Sequence, residues 1–94
     1  MDNVLELPGQ GLDMTHKYDL HHWFICPVDK KNIDYRISLT SEFCIMVEDI
    51  EGFIDALPAE ILQEQLVDDL KNKFSTAKIC VVATHGRVRI TSKK

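Results

Sequence analysis

The sequence predicts an α+β domain, an antiparallel sheet with its helices on one face. Two stretches rich in aromatic and β-branched residues, 18–27 and 33–40, flank a short polar turn. Leu62, Leu66, Leu70 and Phe74 recur every four residues in the middle of the chain. Two further apolar runs, AKICVVA and RVRIT, end it around a THGR turn. The implied order is strand, strand, helix, helix, strand, strand. Residues 18–94 are the expected single domain, a size that suits 94 residues. Residues 1–17, with Pro8, Gly9 and Gly11 among polar neighbours, read as a flexible N-terminal arm.

The first strand carries Trp23, Phe24 and Ile25, residue types that suit a pleated, half-buried surface. Side chains alternate along a strand, so His22, Phe24 and Cys26 share one face and Trp23 and Ile25 the other. DKKN, residues 29–32, is a polar turn without the glycine that tight hairpins favour. In the second strand Ile37 and Leu39 interleave with Arg36, Ser38 and Thr40, a period of two. FCIMV, residues 43–47, is too short for its period to decide between strand and helix. EDIEGFIDAL, residues 48–57, reads as a short helix weakened by Gly52.

The clearest helix is expected from Pro58 to Phe74. Pro58 suits a first helical position and Glu60 the negatively favoured first turn. Gln63, Glu64, Asp68 and Lys71 are its solvated side. AKICVVA is a strand expected to be buried on both faces. Gly86 frees the following turn to take a positive φ.

Composition narrows the function. Hydrophobic residues make up 45% and charged residues 28%, an ordinary globular balance. Net charge is −4, and no basic run is long enough to track a phosphate backbone, so the composition does not suggest direct nucleic-acid binding. No apolar stretch approaches the ~20 residues of a membrane helix. The acidic N-terminus lacks the basic region of a signal peptide. Cys26, Cys44 and Cys80 are odd in number and unpaired in spacing, which fits a reduced, cytoplasmic setting. A domain this small has few apolar residues to spare for a pocket, so a homo-oligomer with pockets between protomers is expected.

Four groups carry possible chemistry. Cys44 and Cys80 lie inside apolar runs and read as packing residues. Cys26 stands at a strand end before Pro27 and a polar turn, so partial exposure is expected; a thiolate there is a nucleophile, and Lys30, Lys31 and His22 are candidates to stabilise it. Asp34 at the next strand's entrance either caps the turn or, if the hairpin returns it opposite Cys26, moves protons beside the thiol. Glu60 is an ordinary helix-start acid, or else a carboxylate accepting two N–H donors from a purine-like edge. His16, His21, His22 and Cys26 invite a zinc reading, but adjacent histidines on a strand point to opposite faces, so no metal is expected. His85 reads as a surface turn residue.

These residues resemble a known family. The element order is similar to the tunnelling fold of pterin- and purine-binding enzymes, which implies a ββααββ unit and an oligomeric barrel. Within it, F-I-C-P followed by D-Y-R-I resembles the catalytic segment of 7-cyano-7-deazaguanine reductase. The resemblance implies that Cys26 adds to a substrate nitrile to give a thioimide and that Asp34 donates the proton. Glu60 falls where the family's base-recognising glutamate lies; His22, on the Cys26 face, is placed with it on the substrate side. Ala59 stands where a histidine commonly precedes that glutamate, and the Cys-to-Asp interval is one residue longer than usual. EDIEGFIDAL lacks the Ser-Leu-Lys-like stretch tied to NADPH. The resemblance therefore leans toward a short, NADPH-independent branch that adds ammonia to the thioimide, an amidine-forming step as in archaeosine formation, rather than toward reduction. The substrate is then a 7-deazapurine, free or in a modified nucleic acid. The competing readings are a pterin-type tunnelling-fold enzyme, with zinc as an option, and a non-catalytic binding domain.

Overall fold

The computed structural model describes residues 14–94. The elements run β1 (His16–Ile25), β2 (Asn32–Ser41), α1 (Val47–Asp55), α2 (Gln63–Lys73), β3 (Lys78–His85) and β4 (Val88–Lys93). The four strands form one antiparallel sheet in the order β1-β2-β3-β4. The α+β reading holds, with the expected element order. Strand β1 begins inside the expected arm: His16 and Lys17 pair with Ser41 and Thr40. Residues 1–13 of that arm lie outside the described residues.

Alternation assigns the two faces of the sheet. Phe24, Ile33, Tyr35, Ile37, Leu39, Ile79, Val81 and Ala83 are buried on one of them. Ile50 and Ile54 of α1, one turn apart, and Leu66, Val67 and Leu70 of α2 complete that core. Burying such side chains is the main stabilising term, at about 25 cal/mol per Å² of apolar surface. The opposite face carries Lys17, Asp19, His21 and Trp23 of β1 beside Asp34, Arg36 and Ser38 of β2. Trp23 is 59% exposed there. Strand β3 is therefore buried on one face only. Its other face leaves Cys80 and Val82 half-buried, and Cys44 is exposed, so neither cysteine is the core residue expected.

The second helix starts later than expected. Its four-residue spacing is real from Leu66 through Leu70 to Phe74, all buried. Residues 58–62 instead stay outside the helix, and 59–61 run beside β1. The Ile25 N–H donates to the Ala59 carbonyl at 2.8 Å, and the Ile61 N–H to the Ile25 carbonyl at 3.3 Å. A backbone group engaged by a strand cannot also serve a helix, so Leu62 becomes the N-cap in an extended conformation. Gln63 then pins the helix start to the sheet, its Nε2 donating to the Ile90 carbonyl at 3.0 Å and to the Ser92 Oγ at 3.1 Å. Among the described residues, no helix is long and apolar enough to cross a membrane.

The β1–β2 connection closes without glycine. The Lys30 N–H donates to the Cys26 carbonyl and the Cys26 N–H to the Lys31 carbonyl, both at 2.9 Å. Lys30 takes φ 64°, the left-handed position a glycine would fill. That conformation costs an L-residue roughly 1–2 kcal/mol. Lys30→Gly is expected to keep stability or raise it by up to about 1 kcal/mol, the relief being offset by the freer unfolded chain. Lys30→Val, β-branched, is expected to lower it by about 1–2 kcal/mol. Urea denaturation of both variants checks this.

Candidate active site

Three segments converge at one end of the sheet. They are the loop 26–31, the extended stretch 59–61 and the β3 end at His85. Cys26 leaves β1 on the helix-covered side and joins the core at 9% exposure, so it is buried rather than partly exposed. The stretch 59–61 lies along the adjacent Ile25 backbone and helps to cover this end of the strand.

The hairpin does not bring Asp34 to the sulfur. Its ladder partner is Trp23, which puts it on the face away from the helices. There its carboxylate bonds the His21 ring. The reason is parity. Facing residues in an antiparallel pair share a face, and Asp34 pairs with an odd-numbered residue of β1 while Cys26 follows the even-numbered set.

The carboxylate beside Cys26 belongs to Asp29. Its Oδ1 accepts the Lys31 N–H at 3.1 Å, an Asx-type turn, and its Oδ2 meets the His85 Nε2 at 2.8 Å. Ligand-capable atoms of Cys26, Asp29 and His85 all lie within 4.8 Å of one another. The Lys31 N–H above all holds the Asp29 carboxyl below its usual range; desolvation opposes it, and the His85 ring and the Cys26 thiol add smaller lowering contributions. Asp29 is thus an anion that receives several donors.

Tyr35 backs the cluster. It is 2% exposed and sets its ring edge-on to Phe24, with centroids 5.4 Å apart at 78°. Burial, with the nearby Cys26 charge adding to it, pushes the Tyr35 hydroxyl pKa up. That hydroxyl stays a donor through the neutral range. His22 shares this face as expected, half-buried, its ring 4.6 Å from Phe24 and its ladder partner Tyr35.

Glu60 reaches the same end, though from the extended stretch and not from a helix start. It sits in an isolated bridge with Ile25 and accepts the Lys30 Nζ at 2.8 Å. Lys30, a candidate to stabilise the thiolate, is bonded to Glu60 instead. The histidine set weighed for zinc is not assembled, because His21 faces away from Cys26 and His16 opens the far end of β1.

Asp29 and Tyr35 are not among the candidate residues the sequence offers, and His85, which it offers only as a surface turn residue, ends β3 half-buried against Asp29. Asp29 had a legible signal, an Asp two residues before a turn N–H in DKKN. His85 had none, since only the β2–β3 register, Asp34 opposite Thr84, brings its strand end to the 26–31 loop.

No family model matches the chain, and no curated protein matches it. Among solved structures it is similar to the crystal structure of the archaeosine synthase QueF-Like in the apo form. The TM-score is 0.74 over 85% of this chain and 90% of that one, with 18% of residues identical. The chain has a QueF-like tunnelling fold. At this identity the likeness is one of architecture, and function has to be argued from the site. In this tunnelling fold the chemistry-bearing residues gather where the β1–β2 loop meets the β3 end.

Proposed function

We propose that this chain is a 7-deazaguanine-modifying enzyme that acts on the nitrile of 7-cyano-7-deazaguanine through a Cys26 thioimide. The observation that carries the reading is the buried Cys26 thiol with the Asp29 carboxylate beside it and Glu60 bridged to the same strand end. The fold it shares with an archaeosine synthase supports the substrate class.

The Cys26 sulfur bonds to the nitrile carbon, the C≡N triple bond becomes C=N, and the thiol proton ends on the nitrogen. Asp29 lies where it can pass that proton on. Asp29 is an anion in the free protein, so it serves as a relay, taking the thiol proton as the sulfur adds and handing it to the nitrogen. Ammonia then bonds to the thioimide carbon, the C–S bond breaks, and the amidine leaves with the thiol restored. Covalent capture divides one hard addition into two easier ones. Reduction to the aminomethyl product would need NADPH, whose usual binding stretch is not evident in residues 48–57.

Glu60, swung from Lys30, supplies two acceptor oxygens for the N–H groups of the deazapurine edge, with His22 on the same face. The base reaches it free or within a modified nucleic acid. The proposed assembly is a homo-oligomer. Strands β1 and β4 are the edges of this sheet, and Trp23, Val88 and Ile90 are exposed on them. Pairing of such edges would protect them and enclose the pocket.

The test is intact mass spectrometry of the protein mixed with 7-cyano-7-deazaguanine, repeated with ammonium and with NADPH. A single adduct of the ligand's mass is expected, discharged by ammonium. Ligand binding without any adduct would overturn the thioimide. Glu60→Gln is expected to weaken ligand binding about 10- to 100-fold by calorimetry, the effect of losing a charge-assisted bond.

A further inference from the structure

The cluster of Cys26, Asp29 and His85 contains more than nitrile addition requires. His85 lies on a different strand from the sulfur, and the proposed reaction does not use it. Yet its Nε2 meets Asp29 Oδ2 at 2.8 Å, and the three donor atoms fall within 4.8 Å of one another. The donors are one sulfur, one carboxylate oxygen and one imidazole nitrogen. That set suits a borderline-soft divalent cation, zinc above all.

The dimensions are compatible. Zinc holds sulfur at about 2.3 Å and nitrogen or oxygen at about 2.0–2.2 Å, so tetrahedral ligands stand roughly 3.3–3.7 Å apart. The Asp29–His85 pair has to open slightly and the longest separation to close, both within reach of side-chain rotation. The carboxylate is already oriented. Its Oδ1 is held by the Lys31 N–H, the kind of outer partner that fixes a metal ligand, which leaves Oδ2 for the ion. The loop that supplies two of the ligands is clamped by its own backbone bonds at both ends of Cys26.

We propose that Cys26, Asp29 and His85 form a three-ligand zinc site whose occupancy caps the Cys26 nucleophile. Binding exchanges the Cys26 thiol proton for a sulfur–zinc bond and releases that proton to solvent. The fourth position stays open to water. With the sulfur pair engaged by the ion, thioimide formation stops, and a chelator restores it. The binding half stands on the geometry alone; the capping half rests on the nitrile reading above.

The experiment uses the full chain, purified without an affinity tag, reduced and stripped with chelator. Zinc chloride is titrated calorimetrically, and cobalt(II) is added in parallel as a spectroscopic probe. One ion per chain with a dissociation constant at or below the micromolar range is expected, with a thiolate-to-cobalt charge-transfer band. Cys26→Ala removes the band, and Cys26→Ala and His85→Ala each weaken zinc at least tenfold, with circular dichroism unchanged. His21→Ala, on the other face, changes neither. Peptide-mapped alkylation separates the sulfurs: zinc protects Cys26 and spares Cys44. Zinc binding that survives in both Cys26→Ala and His85→Ala, or none at micromolar zinc, overturns the site. The two readings fail separately. Zinc protection of Cys26 without any nitrile adduct sinks the function and keeps the site, and an adduct that bound zinc never suppresses keeps the function and sinks the capping.

Discussion

Cys26→Ala is expected to abolish covalent capture of 7-cyano-7-deazaguanine while the protein still folds and still binds the base. The sulfur is the only atom asked to bond to the nitrile, so nothing replaces it. Its removal from a 9% exposed position costs stability by about 1–2 kcal/mol, short of unfolding a normal domain. The carboxylates then discriminate the two possible geometries. Asp29→Asn keeps an Oδ1 to accept the Lys31 N–H, so the 26–31 loop holds, but it cannot carry a proton. Adduct formation is expected to slow about 100-fold or more, the usual scale of a lost general acid. Asp34→Asn, on the opposite face with His21, is expected to leave the rate within about threefold. Stopped reactions followed by intact mass measure all three. If Asp34→Asn slowed capture and Asp29→Asn did not, the reacting face would be the one away from the helices.

That contrast also shows where the sequence was informative. Alternation placed His22, Phe24 and Cys26 on one face, and it did so correctly because parity along a strand is a local property. The same parity decides Asp34, but only once the β1–β2 register is known. Register depends on the loop, and this loop closes through Lys30 at positive φ, which residue type alone does not announce. The helix boundary failed for a related reason. Pro58 and Glu60 look like a helix start, but the backbone of 59–61 found its partners on Ile25, a contact between residues more than thirty apart in sequence. The core spacing of Leu66, Leu70 and Phe74 was legible because it repeats within one element. His85 was not, because its neighbours are made by sheet order. What sequence reading misses here is consistently what lies across the sheet, and the site is made of such contacts.

Phe24→Ala is expected to have the largest effect on stability, about 3–5 kcal/mol, out of the roughly 5–15 kcal/mol that holds a domain together. The ring is 1% exposed, edge-on to Tyr35 and packed against His22, so truncation leaves a cavity in the core on the helix-covered face of the sheet. In urea the midpoint is expected to fall by about 1.5–2.5 M with the slope unchanged, taking a slope near 2 kcal/mol per M. Trp23→Ala, one residue away but facing outward, is expected to cost less than about 1 kcal/mol in dilute protein. Equal losses from the two variants would mean that Trp23 is buried in the assembled protein, against a second copy. The consequence of Phe24→Ala reaches the site as well. Phe24 is the packing partner that fixes Tyr35 behind Cys26, and it holds the end of β1 from which the 26–31 loop departs. Phe24→Leu, which fills most of the cavity, is expected to recover stability to within about 1.5 kcal/mol of the native protein. Its rate of nitrile capture is expected to recover less fully than its stability. A leucine restores buried volume, but it offers no ring edge to hold the Tyr35 ring, and pre-organisation of the thiol and its carboxylate depends on that fixed backing.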